Sequence, residues 1–340
     1  MKDSNCSIPE GQIEPEAGGG GQANNIAAAT PENILRAARL LRERQVIGLP
    51  TETVYGLAAD GLEPVALARI FEVKQRPLFD PLILHVSQAE KAWELAARVP
   101  EAARRLAEKF WPGPLTLVLP KRDVVPDLAT SGLPQVALRV PAHPVAREVL
   151  RVFGGPLAAP SANRFGRISP TDAEAVRSEL GAAVLLILDG GPCVVGVESA
   201  VLDLSGDEPV LLRAGGVPVE ELEAVVGPIR RAGAVEDRPA APGQLKHHYA
   251  PRKLLRLGDG NLPAEKNAGW LVFGAEAGVP DGAVVENLSP AGDLREAAAN
   301  LFRALRRLDD DPRVAVIHAR RVPEHGLGRA LNERLERAAS

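Results

Sequence analysis

The first residues of the chain show no hydrophobic period. They include Gly18-Gly-Gly-Gly21 and acids at Asp3, Glu10, Glu14 and Glu16, too polar a stretch to bury, so residues 1–28 are expected to form a disordered leader. Order is expected from Thr30-Pro31-Glu32-Asn33, with Thr30 as N-cap and Pro31 at the first helical position. Ile34, Ala37, Ala38 and Leu41 then recur at helical spacing. Short apolar runs alternate with helical stripes beyond that point: Val46 to Leu49, a helix over 64–74 carrying Val65, Leu67, Ala68, Ile70 and Phe71, then Pro81 to Val86, then a helix from Gln88 to Ala97. Further strands are predicted at Leu115 to Pro120, Val136 to Val140, Leu157 to Ala159, Val184 to Leu188, Ala200 to Leu204 and Val210 to Arg213. Strands and helices interleaved in this way predict an α/β fold with a broad twisted sheet flanked by helices.

The rhythm breaks near residue 228. Pro228-Ile-Arg-Arg-Ala-Gly233 and Arg238-Pro-Ala-Ala-Pro-Gly243 read as linker, placed at 229–252. A smaller α/β unit is expected over 253–340, with strands at Leu254 to Leu257, Gly269 to Phe273 and Val314 to His318. Its helices are placed at Asp293 to Leu308 and Leu327 to Ala339, with apolar stripes Leu301, Phe302, Leu305, Leu308 and Leu327, Leu331, Leu335.

Composition narrows the class. A length of 340 residues suits two domains, and 40 basic against 44 acidic residues leave a charge of −4, with no global basic field for nucleic acid. Cys6 and Cys193 cannot build a disulfide framework, which fits a reducing cytoplasmic setting. The N-terminus does not read as a signal peptide, and the apolar run Ala182 to Leu188 is too short to span a bilayer. A soluble, cytoplasmic protein with no membrane partner is expected.

The candidate chemistry gathers around a few segments. Lys74-Gln-Arg76-Pro77 closes the helix over 64–74, because a proline disfavours helical backbone in the residue before it. Lys74 and Arg76 are thus expected as last-turn cations, complementing the helix dipole or facing a ligand. In Val136-Ala-Leu-Arg-Val140, alternation sets Val136, Leu138 and Val140 on one face and Ala137 and Arg139 on the other. A cation in such a strand needs a partner: an internal acid, or a ligand carboxylate or phosphate gripped by the guanidinium fork. Pro160-Ser161-Ala-Asn163 follows an apolar strand, where ligands collect in open α/β sheets, although Ser and Asn in a turn also satisfy their own backbone. Thr171 and Glu174 are spaced as a capping box, and the helix start they mark could also receive a phosphate. Glu198-Ser199 before one strand and Arg213-Ala-Gly-Gly216 after another are weak signals alone. His85 reads by itself as a core histidine. The adjacent His247 and His248 point opposite ways in extended chain and lack a third ligand, so no structural metal is expected. No Walker A sequence and no G-x-G-x-x-G opening a βαβ unit occurs.

Taken together, these segments resemble the L-threonylcarbamoyladenylate synthases, the YrdC-like family. The motifs that carry the resemblance are Pro50-Thr-Glu-Thr-Val-Tyr-Gly-Leu57, Lys74-x-Arg-Pro77, Pro81-Leu-Ile-Leu-His85 and Trp111-Pro-Gly-Pro-Leu-Thr116. Leu138-Arg-Val-Pro-x-His-Pro144, Pro160-Ser-Ala-Asn163, Val197-Glu-Ser-Ala200 and Leu212-Arg-x-Gly-Gly216 continue it in order over about 31–228. Pro242-Gly-x-x-x-His-His-Tyr-Ala-Pro251 and the ending Gly326-Leu-Gly-x-Ala-x-Asn-x-Arg-Leu-x-Arg-Ala338 resemble the long, two-domain form.

The resemblance implies a large twisted mixed sheet in a catalytic domain over 29–228, a linker closing over the site, and a Rossmann-like C-terminal domain. It implies synthesis of L-threonylcarbamoyladenylate from L-threonine, bicarbonate and ATP, with Mg²⁺ accompanying ATP and pyrophosphate released. The product would serve partner proteins that transfer threonylcarbamoyl to tRNA reading ANN codons, with any tRNA contact of this chain weak or local. By the same correspondence Lys74, Arg76, Ser161 and Asn163 would be catalytic. Lys74, Arg76, Asp80, Gln135, Ser161, Asn163, Thr171, Arg213 and Tyr249 would line the ATP site, and Thr53, His85, Arg139, Ser161 and Ser199 the threonine site.

Asp80 stands where the family often has Asn, an awkward acid beside phosphates unless it helps hold magnesium. Gln135 and Ala241 replace a commoner Thr and Ser. Two alternatives remain at this level: a YrdC-like enzyme forming carbamoyladenylate from carbamoyl phosphate, which usually carries additional domains with metal-ligand motifs, and a non-catalytic RNA-binding module, which the charge balance and the lack of interleaved aromatics disfavour.

Overall fold

The computed structural model describes residues 25–232, 248–258, 265, 267–275 and 279–339. The first unit is built on one sheet of strands β1 (Ile26–Ala28), β2 (Ile47–Leu49), β3 (Gly56–Asp60), β4 (Ile83–His85), β5 (Leu115–Pro120), β6 (Gln135–Arg139), β7 (Leu157–Ala158), β8 (Ile187–Asp189), β9 (Ala200–Asp203), β10 (Val210–Arg213) and β11 (Arg230–Arg231). Among the described residues these are 11 strands in the order β1-β8-β2-β3-β7-β4-β6-β5-β9-β10-β11. The sheet is mixed: β4 runs parallel to β6 and β5 to β9, while β5 is antiparallel to β6 and β7 to β4. Helices cover it with two apolar layers, one holding Tyr55, Leu67, Ile70, Leu84 and Leu138, the other Ile34, Leu41, Ile47, Leu49 and Leu150.

Four expectations change here. The leader does not extend to residue 28, because Ile26–Ala28 adds an edge strand beside Ile187–Asp189, with the Asn25 side chain tied to Gly181 and Val184 carbonyls. Backbone pairing at an edge needs no hydrophobic period, which is why the pattern hid it. The helix expected over Gln88 to Ala97 shrinks to Ala89–Trp93, and an unpredicted one, Glu101–Phe110, follows Pro100 with a narrow stripe of Ala103, Leu106 and Ala107. The helix Pro64–Lys74 ends with Gln75 left-handed at φ 52°, so Arg76 lies beyond the last turn rather than in it. Asp172, not Thr171, caps the helix Ala173–Leu180, its carboxylate accepting the Ala175 N–H at 2.8 Å. An Asp accepts from the third N–H as well as a Thr does, and Thr171 is buried instead. The Thr30 cap and Pro31 stand as expected.

The second unit holds β12 (Leu254–Gly258), β13 (Ala268–Val272), β14 (Val284–Asn287) and β15 (Val316–Arg320), all parallel, in the order β12-β15-β13-β14. Strand β14 escaped the pattern because it is a short, half-buried edge. Helices Leu294–Asp310 and Gly328–Ala338 pack Leu301, Phe302, Leu305, Leu331 and Leu335 into a core that also takes in Val54, Ile168 and Val197 of the first unit. The two units therefore share apolar contact. The first sheet runs on to Arg231, past the expected boundary at 228. Most of the expected leader and the linker residues 233–247, with Ala241 and His247, lie outside the described residues. No helix among the described residues is long and apolar enough to cross a membrane.

Candidate active site

The site lies between the turns that leave β2, β4, β6, β7 and β10 and the segment entering β12. One cavity is lined by Thr53, Arg76, His85, Arg139, Ser161, Glu198, Ser199, Arg213, His248 and Tyr249, with Thr51, Val54, Ile83, Ala159 and Pro160. The sequence-predicted residues Thr53, Arg76, His85, Arg139, Ser161, Ser199, Arg213 and Tyr249 thus meet in one place. Lys74, Asp80, Gln135, Asn163 and Thr171 do not line it.

Lys74 sits behind the wall. It is 1 % exposed, and its Nζ donates to the carbonyls of Asn163 at 2.6 Å and Ser161. Because it ends the last turn of its helix, its stem reaches the turn after β7 and holds that turn's backbone. Burial, reinforced by nearby Arg76, pushes the Lys74 ammonium well below the usual lysine range. Carbonyl dipoles solvate a cation but do not neutralise it. Asn163 spends its amide N–H groups on the Arg164 and Arg167 carbonyls at 2.7 and 2.9 Å, and its buried Oδ1 has no partner.

Arg76 and Asp80 form a buried ion pair, Nη2 to Oδ2 2.8 Å. Arg76 also donates to the Pro81 carbonyl at 2.9 Å and the Asp80 carbonyl at 3.2 Å. Burial pushes the Asp80 carboxyl up, against the pull of Arg76, Lys74 and Arg213. The acid that looked misplaced beside phosphates is thereby committed to Arg76 and turned from the cavity. Gln135 opens β6 while Arg139 ends it, so the two stand roughly 13 Å apart along the strand.

Arg139 occupies the face that alternation assigns it, with Val136, Leu138 and Val140 in the main core opposite. The question of its partner is settled: Nη2 meets Glu52 Oε1 at 2.6 Å and Nε donates to the Gly113 carbonyl at 3.1 Å. Glu52 Oε2 accepts the Ala142 N–H at 3.0 Å. Burial pushes Glu52 up, but Arg139 and these hydrogen bonds outweigh it and hold the carboxyl below its ordinary value. The fork is therefore not waiting empty for a ligand. One edge is fixed by an internal acid, and the guanidinium still lines the cavity. His85 pairs in register with Arg139 across β4 and β6. Burial, helped by Arg139, pushes its imidazole down to about 3, so it is neutral, and its buried Nδ1 has no partner.

On the far wall Ser199 Oγ shares a 2.7 Å hydrogen bond with Thr116 and accepts from Arg213 Nη2 at 3.2 Å, while Arg213 also donates to the Ser199 carbonyl at 2.9 Å. Neighbouring Glu198 takes Ser169 Oγ at 2.7 Å on Oε1 and Arg334 Nε at 3.0 Å on Oε2. Arg334 belongs to the last helix of the second unit. From the linker end, Tyr249 lines the cavity in a left-handed conformation at φ 65°, its ring stacked on Phe302 at 5.4 Å and beneath the Arg334 guanidinium at 5.5 Å. His248, its neighbour, is driven down to about 3 mainly by burial.

Glu52 and Arg334 fall within motifs that carry the resemblance, but the sequence assigns neither of them a role. Glu52 gave no local signal, since its partner lies 87 residues away. Arg334 did carry one: it breaks the buried stripe Ala330, Leu331, Leu335, Ala338 of its helix, the same signature that singled out Arg139. No group of three or more His, Cys, Asp or Glu able to hold a metal occurs among the described residues.

Comparisons with known proteins place the chain in a family. A family model described as telomere recombination, of the Sua5, YciO and YrdC proteins, matches residues 39–215, and one described as threonylcarbamoyl-AMP synthase, C-terminal domain, matches 217–340. The threonylcarbamoyl-AMP synthase of Pyrococcus abyssi is 44% identical over 318 residues, covering 89% of this chain and 93% of that protein. The Bacillus subtilis enzyme of the same name is 41% identical, covering 90% and 92%. The crystal structure of P. abyssi Sua5 complexed with L-threonine superposes with a TM-score of 0.85 at 41% identity, over 92% of this chain and 96% of that one. With both domains matched and the fold shared throughout, the chain belongs to the two-domain threonylcarbamoyl-AMP synthases of the Sua5/YrdC family.

Proposed function

We propose that the cavity beneath Tyr249 is where L-threonine, bicarbonate and ATP become L-threonylcarbamoyladenylate and pyrophosphate. The observation that carries this reading is the convergence of Arg76, Arg139 and Arg213 with the hydroxyl residues Thr53, Ser161 and Ser199 and neutral His85 in one cavity. Threonine's carboxylate would meet Arg139, whose orientation Glu52 fixes, with Thr53, Ser199 and the unpartnered Nδ1 of His85 near its polar groups. The triphosphate would lie toward Arg76, Arg213 and the Ser161–Asn163 turn that Lys74 holds.

The chemistry asks little covalent help. The amine and bicarbonate condense to a carbamate with loss of water; its oxygen attacks the α-phosphorus, a new P–O bond forms, and the bond to the pyrophosphate leaving group breaks. Both reactants are anionic, so fixed cations and placement lower the barrier. Lys74 contributes through the turn it holds and through its field. Mg²⁺ would enter on the nucleotide's own phosphates, because Asp80 is engaged with Arg76 and offers no ligand to the cavity. Closure by His248 and Tyr249 would keep water from the mixed anhydride. We assign the reaction to the cytoplasm, with transfer to tRNA left to partner proteins.

The test is pyrophosphate release by the purified chain, with mass spectrometry of the product. Release that needs both threonine and bicarbonate, with a product of threonylcarbamoyl-adenylate mass, is expected. Release driven by carbamoyl phosphate without threonine, or none with any substrate, would overturn the reading.

A further inference from the structure

We propose that Glu333 and Arg334 of the last helix are positioning residues of the reaction site, so that the second unit completes the cavity wall rather than merely carrying the linker. The residue after Arg213 is gripped at both ends of its own backbone. The Ala214 N–H donates to Glu333 Oε2 at 3.1 Å, and its carbonyl accepts from Arg334 Nη1 at 2.6 Å. Arg334 Nε simultaneously holds Glu198 Oε2, the neighbour of Ser199. Two adjacent residues of one helix therefore fix the segments that carry Arg213 and Ser199.

The wall has no slack to absorb a shift. A Cβ at Gly215 would stand 2.2 Å from the Ala200 nitrogen and the Ser199 carbonyl carbon. The Glu198 carbonyl accepts the Gly216 N–H at 2.9 Å. Any displacement of Ala214 thus presses directly on Ser199, and Arg334 reaches Tyr249 through its ring face.

Domain docking alone does not account for this pair. Leu331, Leu335, Phe302 and Val197 already join the units through apolar contact. A buried ion pair adds little stability over well-packed apolar residues of similar volume, whereas removing one partner is costly. What the pair supplies is direction. A guanidinium can hold a carboxylate, a carbonyl and an aromatic face at once, which an ammonium at the same place cannot.

The experiment compares wild type, Arg334→Met, Arg334→Lys, Glu198→Gln, the double variant Arg334→Met/Glu198→Gln and Glu333→Ala, measuring kcat, KM for threonine and for ATP, and Tm. Arg334→Met is expected to lower kcat about 100-fold, the scale of a small misplacement of reacting groups, and Arg334→Lys to fail to restore it. In the double variant the orphaned carboxylate is gone, so Tm should return toward wild type while kcat stays low, because the Ala214 carbonyl remains unheld. Recovery of kcat together with Tm would make the pair structural only and overturn the proposal, as would wild-type kcat in Arg334→Met. Should Arg334→Met fail to fold, Glu333→Ala frees the Ala214 N–H and also releases the Arg337 and Arg334 contacts of a partly exposed side chain, and about a tenfold lower kcat supports the proposal while an unchanged one overturns it. The inference rests on the cavity being the reaction site. Absence of threonine-dependent turnover in wild type sinks that reading, whereas normal turnover in every variant sinks only this one.

Discussion

Two sides of one cavity bury cations in opposite ways. On one side Lys74 is solvated by the Ser161 and Asn163 carbonyls, with Arg76 close and the nearby carboxylate of Asp80 paired to Arg76. On the other, Arg139 is matched by Glu52, whose second oxygen is itself bonded to Ala142. Incomplete neutralisation makes the first side costly until an anion arrives. Neutralisation in advance makes the second side a rigid guide with little net charge. On the proposed reading the difference fits the ligands: a triphosphate needs excess positive potential, whereas an amino acid of balanced charge needs an aligned fork more than it needs field.

The largest effect is expected from Lys74→Ala. It removes the cation and frees the Ser161–Asn163 turn together, so pyrophosphate release should fall by on the order of 1,000-fold, combining a lost charged contact with misplacement. Near-wild-type turnover would show the two sides to be equivalent. Arg139→Lys keeps charge but cannot serve Glu52, Gly113 and a carboxylate together. Breaking one arm of such a buried contact costs about 2 kcal/mol or more, or roughly a 30-fold higher threonine requirement, with a smaller change for ATP. Threonine titration by calorimetry at fixed ATP measures it, and equal weakening of both ligands would erase the distinction drawn here.

Acid should expose the same buried electrostatics through stability. His85 and His248 are held near 3 in the fold against an ordinary 6.5, so the unfolded chain binds more protons between those values. Their contribution is intact above about 6.5 and is lost as pH falls toward 3. Glu52 and Glu198, held below their ordinary values, act in the same direction. Tm should therefore drop steadily from pH 6.5 downward, less steeply in His248→Gln, and a flat profile would contradict the burial argument. The smallest effect concerns a corrected cap: Asp172→Ala should cost about 1 kcal/mol, seen as a Tm lower by a few degrees, with turnover unaffected.

Legibility followed the range of each cause. The strand of Arg139 announced itself, because alternation is a local rule and a cation among valines and leucines breaks it visibly. The strand order around it did not, since β4 lies between β7 and β6 only through pairings between distant segments. Lys74 and Arg76 stand at a helix exit, as the proline after Arg76 implies, yet one residue of left-handed backbone at Gln75 sets them in different places. The edge strand Ile26–Ala28 was missed because it is held by backbone pairing, which leaves no trace in side-chain pattern.

By itself the sequence determined two α/β units and, through motif resemblance, the reaction class. Those follow from period, turn chemistry and motif order, all of which are written along the chain. Only the tertiary structure decided which charges are spent internally. Arg139 with Glu52, Arg76 with Asp80, and Glu198 with an arginine from the other end of the chain are partnerships set by which segments the sheet and the domain contact bring within reach. Electrostatic energy in a buried site depends on a few ångströms of separation in a medium that screens poorly, and sequence distance carries no information on that scale.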